Sequence, residues 1–315
     1  MALLIIGSDR AGEFHDMACR AAPDRDVRLW PEAGNREDVR YALAWHPPEG
    51  ELATFPNLRL VVSVGAGVDH LFRDEALPDV PIVRYVDPDL TTRMVQYVVL
   101  NTLFHVRRMS EHLDQQRAAK WEYLPEPMPG EVRVGIMGIG VLGQAAAKAL
   151  QGLGYQVRGW SRSAKTVEGV ECFAGEDGLD AFLAGTDILV VLLPLTPDTR
   201  HVIDARLLAK LSTSGRHHRL PGPVLINAGR GGLQVEDDIR KCLDDGTLYA
   251  ASLDVFETEP LPADSPLWQQ KNLVVTPHNA AESATESIVR YFIRQITRLE
   301  AGEPLENVVD PKTGY

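Results

Sequence analysis

The chain is 315 residues long, 44% hydrophobic and 24% charged, an ordinary balance for a globular protein with enough length for two cores. Its net charge of −12 argues against a general binder of nucleic acid or anionic membranes, so any anionic ligand must be held by local positive groups. Three cysteines, Cys19, Cys172 and Cys242, are too few and too scattered for a disulfide framework or a zinc site, the pattern of a reducing cytoplasm.

The first apolar run, residues 3–6, is too short for the core of a signal peptide and no basic residue precedes it, so it reads as a buried strand. No apolar stretch approaches the length needed to cross a bilayer. Further strands are predicted at residues 27–29, 41–45, 60–64 and 82–84, with helical patterns between several of them, which suggests a small parallel sheet wrapped by helices. Ligands of such sheets sit at the carboxyl ends of strands. Two features there stand out. Trp45-His46-Pro47-Pro48 ends one strand, where Trp45 is either a half-buried aromatic or a pocket wall. Gly65-Ala66-Gly67-Val68 follows another, either as a plain turn or as backbone N–H groups for a carboxylate.

A long helical pattern covers residues 92–117. The proline-broken stretch from Trp121 to Gly130 reads as a hinge and an arm. Apolar and aromatic residues on such an arm suit a partner subunit, which predicts a homodimer. The second domain opens with a strand over residues 132–137 and glycines at 138, 140 and 143, followed by a helical pattern. Gly138 permits the tight turn, Gly140 admits a pyrophosphate, and Gly143 lets helix and strand pack closely, while the helix N-terminus offers N–H groups to phosphates. A tight turn without a ligand remains the plainer reading of the glycines alone.

The next strand, residues 155–160, ends in Trp160-Ser161-Arg162-Ser163-Ala164-Lys165. A turn selective for NAD carries an acid about 20 residues after its first glycine to bond the ribose hydroxyl. No acid stands here before Glu168. Arg162, Lys165 and two serine hydroxyls instead suit a 2′-phosphate, so NADPH is favoured over NADH. Strands at residues 188–193, 224–226, 249–253 and 273–276 follow, with helices at 204–211 and 236–244, and a last helix at 283–300 returns to the first domain.

Arg230, Glu259 and His278 follow three separate strands of the second domain, and in a parallel sheet those ends share one edge. Each alone has a bland reading: a surface ion pair, a solvated carboxylate, a turn cap. Together with the glycine turn they read as catalytic.

These motifs carry a resemblance. Gly138-x-Gly140-x-x-Gly143, Asn227-x-x-Arg230-Gly231, Asp254-Val-Phe-Glu-x-Glu259-Pro260 and Pro277-His278 resemble the D-isomer-specific 2-hydroxyacid dehydrogenase family over nearly the whole chain. Trp45-His-Pro-Pro48, Gly67-Val-Asp69, Gly140-Val141-Leu142-Gly143, Trp160-Ser-Arg162, Phe173-Ala-Gly175, Val235-Glu-Asp-Asp238, Leu261-Pro262 and Ser265-Pro-Leu-Trp268 look most like its glyoxylate/hydroxypyruvate reductase A branch. The resemblance implies an α/β fold of two Rossmann-like doubly wound domains. One is a flavodoxin-like substrate domain of residues 1–98 and 282–315. The other is a dinucleotide-binding domain of residues 99–281, and the active site lies in the cleft between them.

By the family's mechanism His278 is the general acid toward a 2-oxoacid while the nicotinamide delivers hydride. Glu259 pairs with His278, and Arg230 holds the substrate. Ala66, Gly67 and Val68 bind the substrate carboxylate, and Trp45 walls a small pocket. Asp254 fixes the nicotinamide carboxamide. Met94, Val141, Leu142, Leu193, Pro194, Thr199, Asn227, Ala228 and Gly229 complete the cofactor groove. No metal is expected. Alternatives within the resemblance are a D-2-hydroxyacid dehydrogenase of other preference and a non-catalytic, dinucleotide-sensing co-repressor, which usually carries long extra tails. Two departures stand out. Arg216-His217-His218-Arg219 lies in a turn longer than the branch's, read as a solvated loop rather than a metal site. Asn279 follows His278 where the branch has an apolar residue.

Overall fold

The computed structural model describes residues 1–310 except 8, 9, 66, 69, 87 and 282, and at 88 the backbone only. The chain divides into two compact units, Met1–Leu90 with Ser283–Tyr315, and Thr91–Glu282.

The first unit holds five parallel strands: β1 (Ala2–Ile6), β2 (Asp26–Leu29), β3 (Val39–Ala44), β4 (Leu60–Ser63) and β5 (Ile82–Arg84), in the order β2-β1-β3-β4-β5. This is the flavodoxin-like order, whose direction reverses between β1 and β3, where a ligand crevice forms at the strand ends. Trp45 stands there, immediately after β3. The unbroken apolar run of β1 has a simple cause, because both faces of a parallel strand are covered. Leu4 and Ile6 join one core with Leu52, Phe55 and Val61. Leu3 and Ile5 join the other with Phe14, Tyr41, Ile288 and Phe292.

Helix α1 (Ala11–Ala21) connects β1 to β2. The chain's last helix, α8 (Thr285–Glu300), lies against it and buries Ile288, Val289, Tyr291, Phe292, Gln295 and Ile296 on one face. The spacing of three and four is that of an amphipathic helix. Each large apolar side chain so buried contributes about 1.5–3 kcal/mol. At the end of α8, Glu300 accepts both guanidinium nitrogens of Arg25, at 2.8 and 2.6 Å, and the Tyr41 hydroxyl at 3.1 Å. The C-terminal segment then bridges Val308 antiparallel to Val83 of β5.

The second unit is a seven-stranded parallel sheet of β6 (Arg133–Met137), β7 (Gln156–Ser161), β8 (Glu171–Ala174), β9 (Ile188–Val191), β10 (Val224–Asn227), β11 (Ala250–Leu253) and β12 (Leu273–Val275). Its order is β12-β11-β10-β9-β6-β7-β8. Direction reverses between β6 and β9, the Rossmann switch point. Helices α4 (Val141–Gly152), α5 (Gly175–Ala184), α6 (Ala205–Leu208) and α7 (Glu236–Asp245) connect the strands. Two further helices precede the sheet: α2 (Pro88–Val106), within which residue 98 falls, and α3 (Met109–Arg117).

The single helix expected over residues 92–117 is thus two. Arg108 takes a left-handed backbone, φ 50°, and its guanidinium grips Glu111 at 2.5 Å. With neither glycine nor proline at this break, the local sequence carries no warning of it. Above it, α2 docks on β11 through His105, whose ring nitrogen lies 2.8 Å from the Ser252 hydroxyl. Burial pushes that imidazole down to about 4. Residues 118–128 are irregular and expose Trp121, Tyr123 and Met128. The turn before β10 folds toward this segment: His217 approaches Glu131 at 3.6 Å, and Arg219 donates to the Glu126 carbonyl at 3.4 Å. His218 packs beside His217 and is exposed.

Candidate active site

The glycine turn leaves β6 at the switch point. Gly138 has φ 110°, a conformation that side chains resist, and its N–H bonds the Trp160 carbonyl at 2.9 Å. A methyl on Gly143 would stand 2.2 Å from the Gly138 carbonyl oxygen, so only glycine lets α4 start this close to the strand. A methyl on Gly140 would meet no atom within 4 Å. That open space at the N-terminus of α4 is where a pyrophosphate needs room to reach backbone N–H groups. Val141, exposed, and Leu142, half-buried, form the helix's first turn.

The end of β7 comes beside this turn. Lys165 Nζ donates to the Ile139 carbonyl at 3.3 Å. Trp160 Nε1 is anchored on the Gly175 carbonyl at 3.0 Å, and the buried Ser161 hydroxyl turns inward to the Ser163 carbonyl at 2.8 Å. Arg162, Ser163 and Lys165 are exposed. Of the two serines, then, Ser161 shapes the loop while Ser163 faces solvent. A cradle with an open backbone approach and two cations on its rim fits a dinucleotide bearing a 2′-phosphate.

After β9, Leu193 is buried and Pro194 exposed, and the Thr199 hydroxyl closes their turn by donating to the Pro194 carbonyl at 2.7 Å. Gly229 lies against the Leu193 carbonyl, where a methyl would come within 2.9 Å. Asn227 is wholly buried and its amide is engaged. Oδ1 accepts the Gly229 N–H at 3.0 Å, and Nδ2 donates to Gln234 at 2.8 Å. Ala228 is buried beside them, and Met94 on α2 is buried in the same core as Ala280.

Arg230 follows β10 at the rim of this loop, with Nη1 2.8 Å from the Gly229 carbonyl. The next residue, Gly231, abuts the loop after β11: a methyl there would stand 1.8 Å from the Phe256 carbonyl oxygen. Buried Gln234 joins the same two loops, receiving Asn227 and donating to the Val255 carbonyl at 2.9 Å. The loop after β11 carries Glu259, which accepts the Phe256 N–H at 2.9 Å and lies 2.6 Å from His278 Nδ1. Burial pushes the Glu259 carboxyl up. The hydrogen bond and charge of His278, the Phe256 N–H and the charge of Arg230 outweigh it and hold the group below its ordinary value.

His278 itself has φ 52°. Its N–H bonds the Asp254 and Thr276 carbonyls at 2.8 and 3.1 Å. The Asp254 side chain, 1% exposed, receives Thr276 and Asn279 on one oxygen and Ala280 on the other. Asn279 is exposed. One edge of the sheet therefore brings Arg230, Glu259 and His278 together, as an acid–base pair beside a guanidinium. Gln234 and Thr276, which tie these loops together, and Tyr97, whose hydroxyl lies 3.0 Å from Thr276 Oγ1, carried no sequence signal: isolated polar residues form no periodic pattern.

In the first unit, Trp45 lies over Gly65, where a methyl would come 2.6 Å from the ring. The rings of His46 and His70 flank it at 4.9 and 4.5 Å and stack on one another at 4.6 Å. Val68 is buried, and the Gly67 carbonyl accepts the Ser63 hydroxyl at 3.3 Å. Ala66 lies outside the described residues. Among the described residues no group of three or more His, Cys, Asp or Glu side chains could hold a metal ion.

A family model described as "D-isomer specific 2-hydroxyacid dehydrogenase, NAD binding domain" matches residues 99–280. The chain is 40% identical over 301 residues to glyoxylate/hydroxypyruvate reductase A of Escherichia fergusonii, covering 94% of this chain and 93% of that protein. Among solved structures it is similar to an NADPH-dependent glyoxylate/hydroxypyruvate reductase of Sinorhizobium meliloti in complex with NADP and sulfate, with TM-score 0.92, 45% identity and full coverage of both chains. It is also similar to a probable 2-hydroxyacid dehydrogenase of Rhizobium etli in complex with NADP, HEPES and L(+)-tartaric acid, with TM-score 0.90, 46% identity and coverage of 100% and 99%.

Proposed function

From the premise that the chain belongs to the D-isomer specific 2-hydroxyacid dehydrogenases, we propose that it reduces small 2-oxoacids, glyoxylate and hydroxypyruvate foremost, to 2-hydroxyacids with NADPH. The observation that carries this reading is the 2.6 Å contact of His278 Nδ1 with Glu259 beside Arg230. When bound, the cofactor supplies the hydride that adds to C2. His278 supplies the proton. With Glu259 accepting at Nδ1, the ring is fixed and Nε2 is the atom that gives its proton to the carbonyl oxygen. Arg230 binds the substrate carboxylate through its planar fork. Gly67 and Val68 would offer backbone N–H groups to that carboxylate, and Trp45 would limit substrate size.

NADPH would lie along Gly138, Gly140, Val141, Leu142 and Gly143, with Leu193, Pro194, Thr199, Ala228, Gly229 and Met94 beside it. Arg162, Ser163 and Lys165 would meet its 2′-phosphate, and the NADP in the Sinorhizobium and Rhizobium structures supports that choice. Asn227, with its side chain engaged, would act by shaping the backbone around it, and Asp254, likewise engaged, would act at the nicotinamide end through the 278–280 turn rather than on cofactor affinity. The exposed Trp121, Tyr123 and Met128 support pairing of two copies. The three cysteines are free, which suits the cytoplasm.

The test is His278→Ala. General acid catalysis contributes about 10²–10⁴-fold, so kcat for glyoxylate should fall at least a hundredfold while NADPH still binds. A loss smaller than about tenfold would remove His278 from the role.

A further inference from the structure

We infer that Tyr97, Thr276 and Asp254 form a part-buried hydroxyl–hydroxyl–carboxylate chain that sets the backbone of the His278 turn, making Tyr97 and Thr276 positioning residues for the proposed acid. The inference rests on the reading of His278 as that acid.

The direction of the chain follows from counting hydrogens. Thr276 Oγ1 donates to Asp254 Oδ1 at 2.6 Å, and a hydroxyl has one hydrogen. Tyr97, 3.0 Å from the same Oγ1, must then be the donor to it. Burial pushes the Tyr97 phenol up, so the proton it needs stays in place. Asp254 is the terminus. Its Oδ1 also accepts the Asn279 N–H at 3.0 Å, its Oδ2 accepts the Ala280 N–H at 2.9 Å, and its main-chain carbonyl accepts the His278 N–H at 2.8 Å.

Residues 278, 279 and 280 thus all hang from one aspartate. His278 sits among them at φ 52°, which a side-chain-bearing residue keeps only where its surroundings impose it. The ring's approach to Glu259 depends on that backbone. Removing the Thr276 hydroxyl leaves a carboxylate that is 1% exposed short of a donor, and the strain of the turn is then opposed by less.

The experiment compares Thr276→Val, Thr276→Ser and Tyr97→Phe in the wild type, and Thr276→Val in a His278→Ala background. It reads kcat and KM for glyoxylate and the Kd of NADPH. A misplacement of about 1 Å can cost roughly a hundredfold, so Thr276→Val should lower kcat by about tenfold or more, and Tyr97→Phe by less. NADPH affinity should stay within about twofold, and Thr276→Ser should restore kcat. In the His278→Ala background Thr276→Val should change kcat by less than about twofold, because both act through one group. Should Thr276→Val not fold, Tyr97→Phe, which keeps the ring in its packed place, carries the comparison.

Wild-type kcat in Thr276→Val and Tyr97→Phe, beside an inactive His278→Ala, would overturn the positioning role alone. Equal losses from Thr276→Val with and without His278 would also overturn it, as would parallel loss of NADPH binding. An active His278→Ala would bring down the acid assignment first.

Discussion

Replacing Gly140 and Gly143 separately by alanine should divide cofactor binding from folding. A methyl at 143 lies 2.2 Å from the Gly138 carbonyl oxygen, where ordinary contact begins at 3.4 Å. Helix α4 must therefore retreat by roughly 1.2 Å, an overpacking that costs about 1–3 kcal/mol. At about 2–4 °C per kcal/mol for a unit of this size, the ligand-free protein should melt roughly 2–12 °C lower. A methyl at 140 meets nothing within 4 Å. Its only folding cost is a poorer helix cap, about 1 kcal/mol or less. It would, however, occupy the approach of the pyrophosphate, and loss of about 1.4 kcal/mol there weakens binding tenfold. Thermal melts without ligand, paired with fluorescence titration of NADPH, read both effects. Wild-type NADPH affinity in Gly140→Ala would place the pyrophosphate elsewhere, and an undisturbed melt of Gly143→Ala would show that α4 need not move.

Other outcomes follow from the same geometry. Arg230→Lys should raise KM for glyoxylate about tenfold or more, since a point charge cannot reproduce the fork; an unchanged KM would exclude Arg230 from carboxylate binding. Glu259 is held below its ordinary value of 4.5, so the folded state binds its proton more weakly than the unfolded chain does. The stability it contributes is present above that value and is lost as pH falls below it. Glu259→Gln should accordingly flatten the fall in melting temperature on acidification below 4.5, and an unaltered profile would contradict the pairing. Deleting residues 216–219 removes the His217–Glu131 and Arg219–Glu126 contacts and the Leu220 N–H bond to the His217 carbonyl. Turnover of glyoxylate should be unchanged and stability lowered by about 1 kcal/mol at most; a loss of turnover would show that the turn reaches the chemistry.

The architecture was largely legible where burial imposes a pattern. β1 and β9 are unbroken apolar runs because parallel strands are covered on both faces, and the glycine turn stands out because each glycine answers a backbone constraint. β8, at the sheet edge with a half-exposed Glu171-Cys-Phe-Ala sequence, has no such run, and the sequence predicts neither it nor α5. The break at Arg108 depends on an ion pair and a left-handed residue rather than on a helix-breaking residue type. Within the site, Arg230, Glu259 and His278 could be placed because each follows a strand. Gln234, Thr276 and Tyr97 could not, since their importance comes from hydrogen bonds made across 7, 22 and 179 positions of sequence.

Hydride transfer from NADPH to a small 2-oxoacid is read most directly as kcat/KM for glyoxylate, hydroxypyruvate and pyruvate with NADPH and NADH side by side. Glyoxylate and hydroxypyruvate should turn over with NADPH preferred, as expected if Arg162, Ser163 and Lys165 meet its 2′-phosphate. A preference for NADH would contradict the cofactor assignment, and no turnover of any of the three acids would contradict the reaction itself.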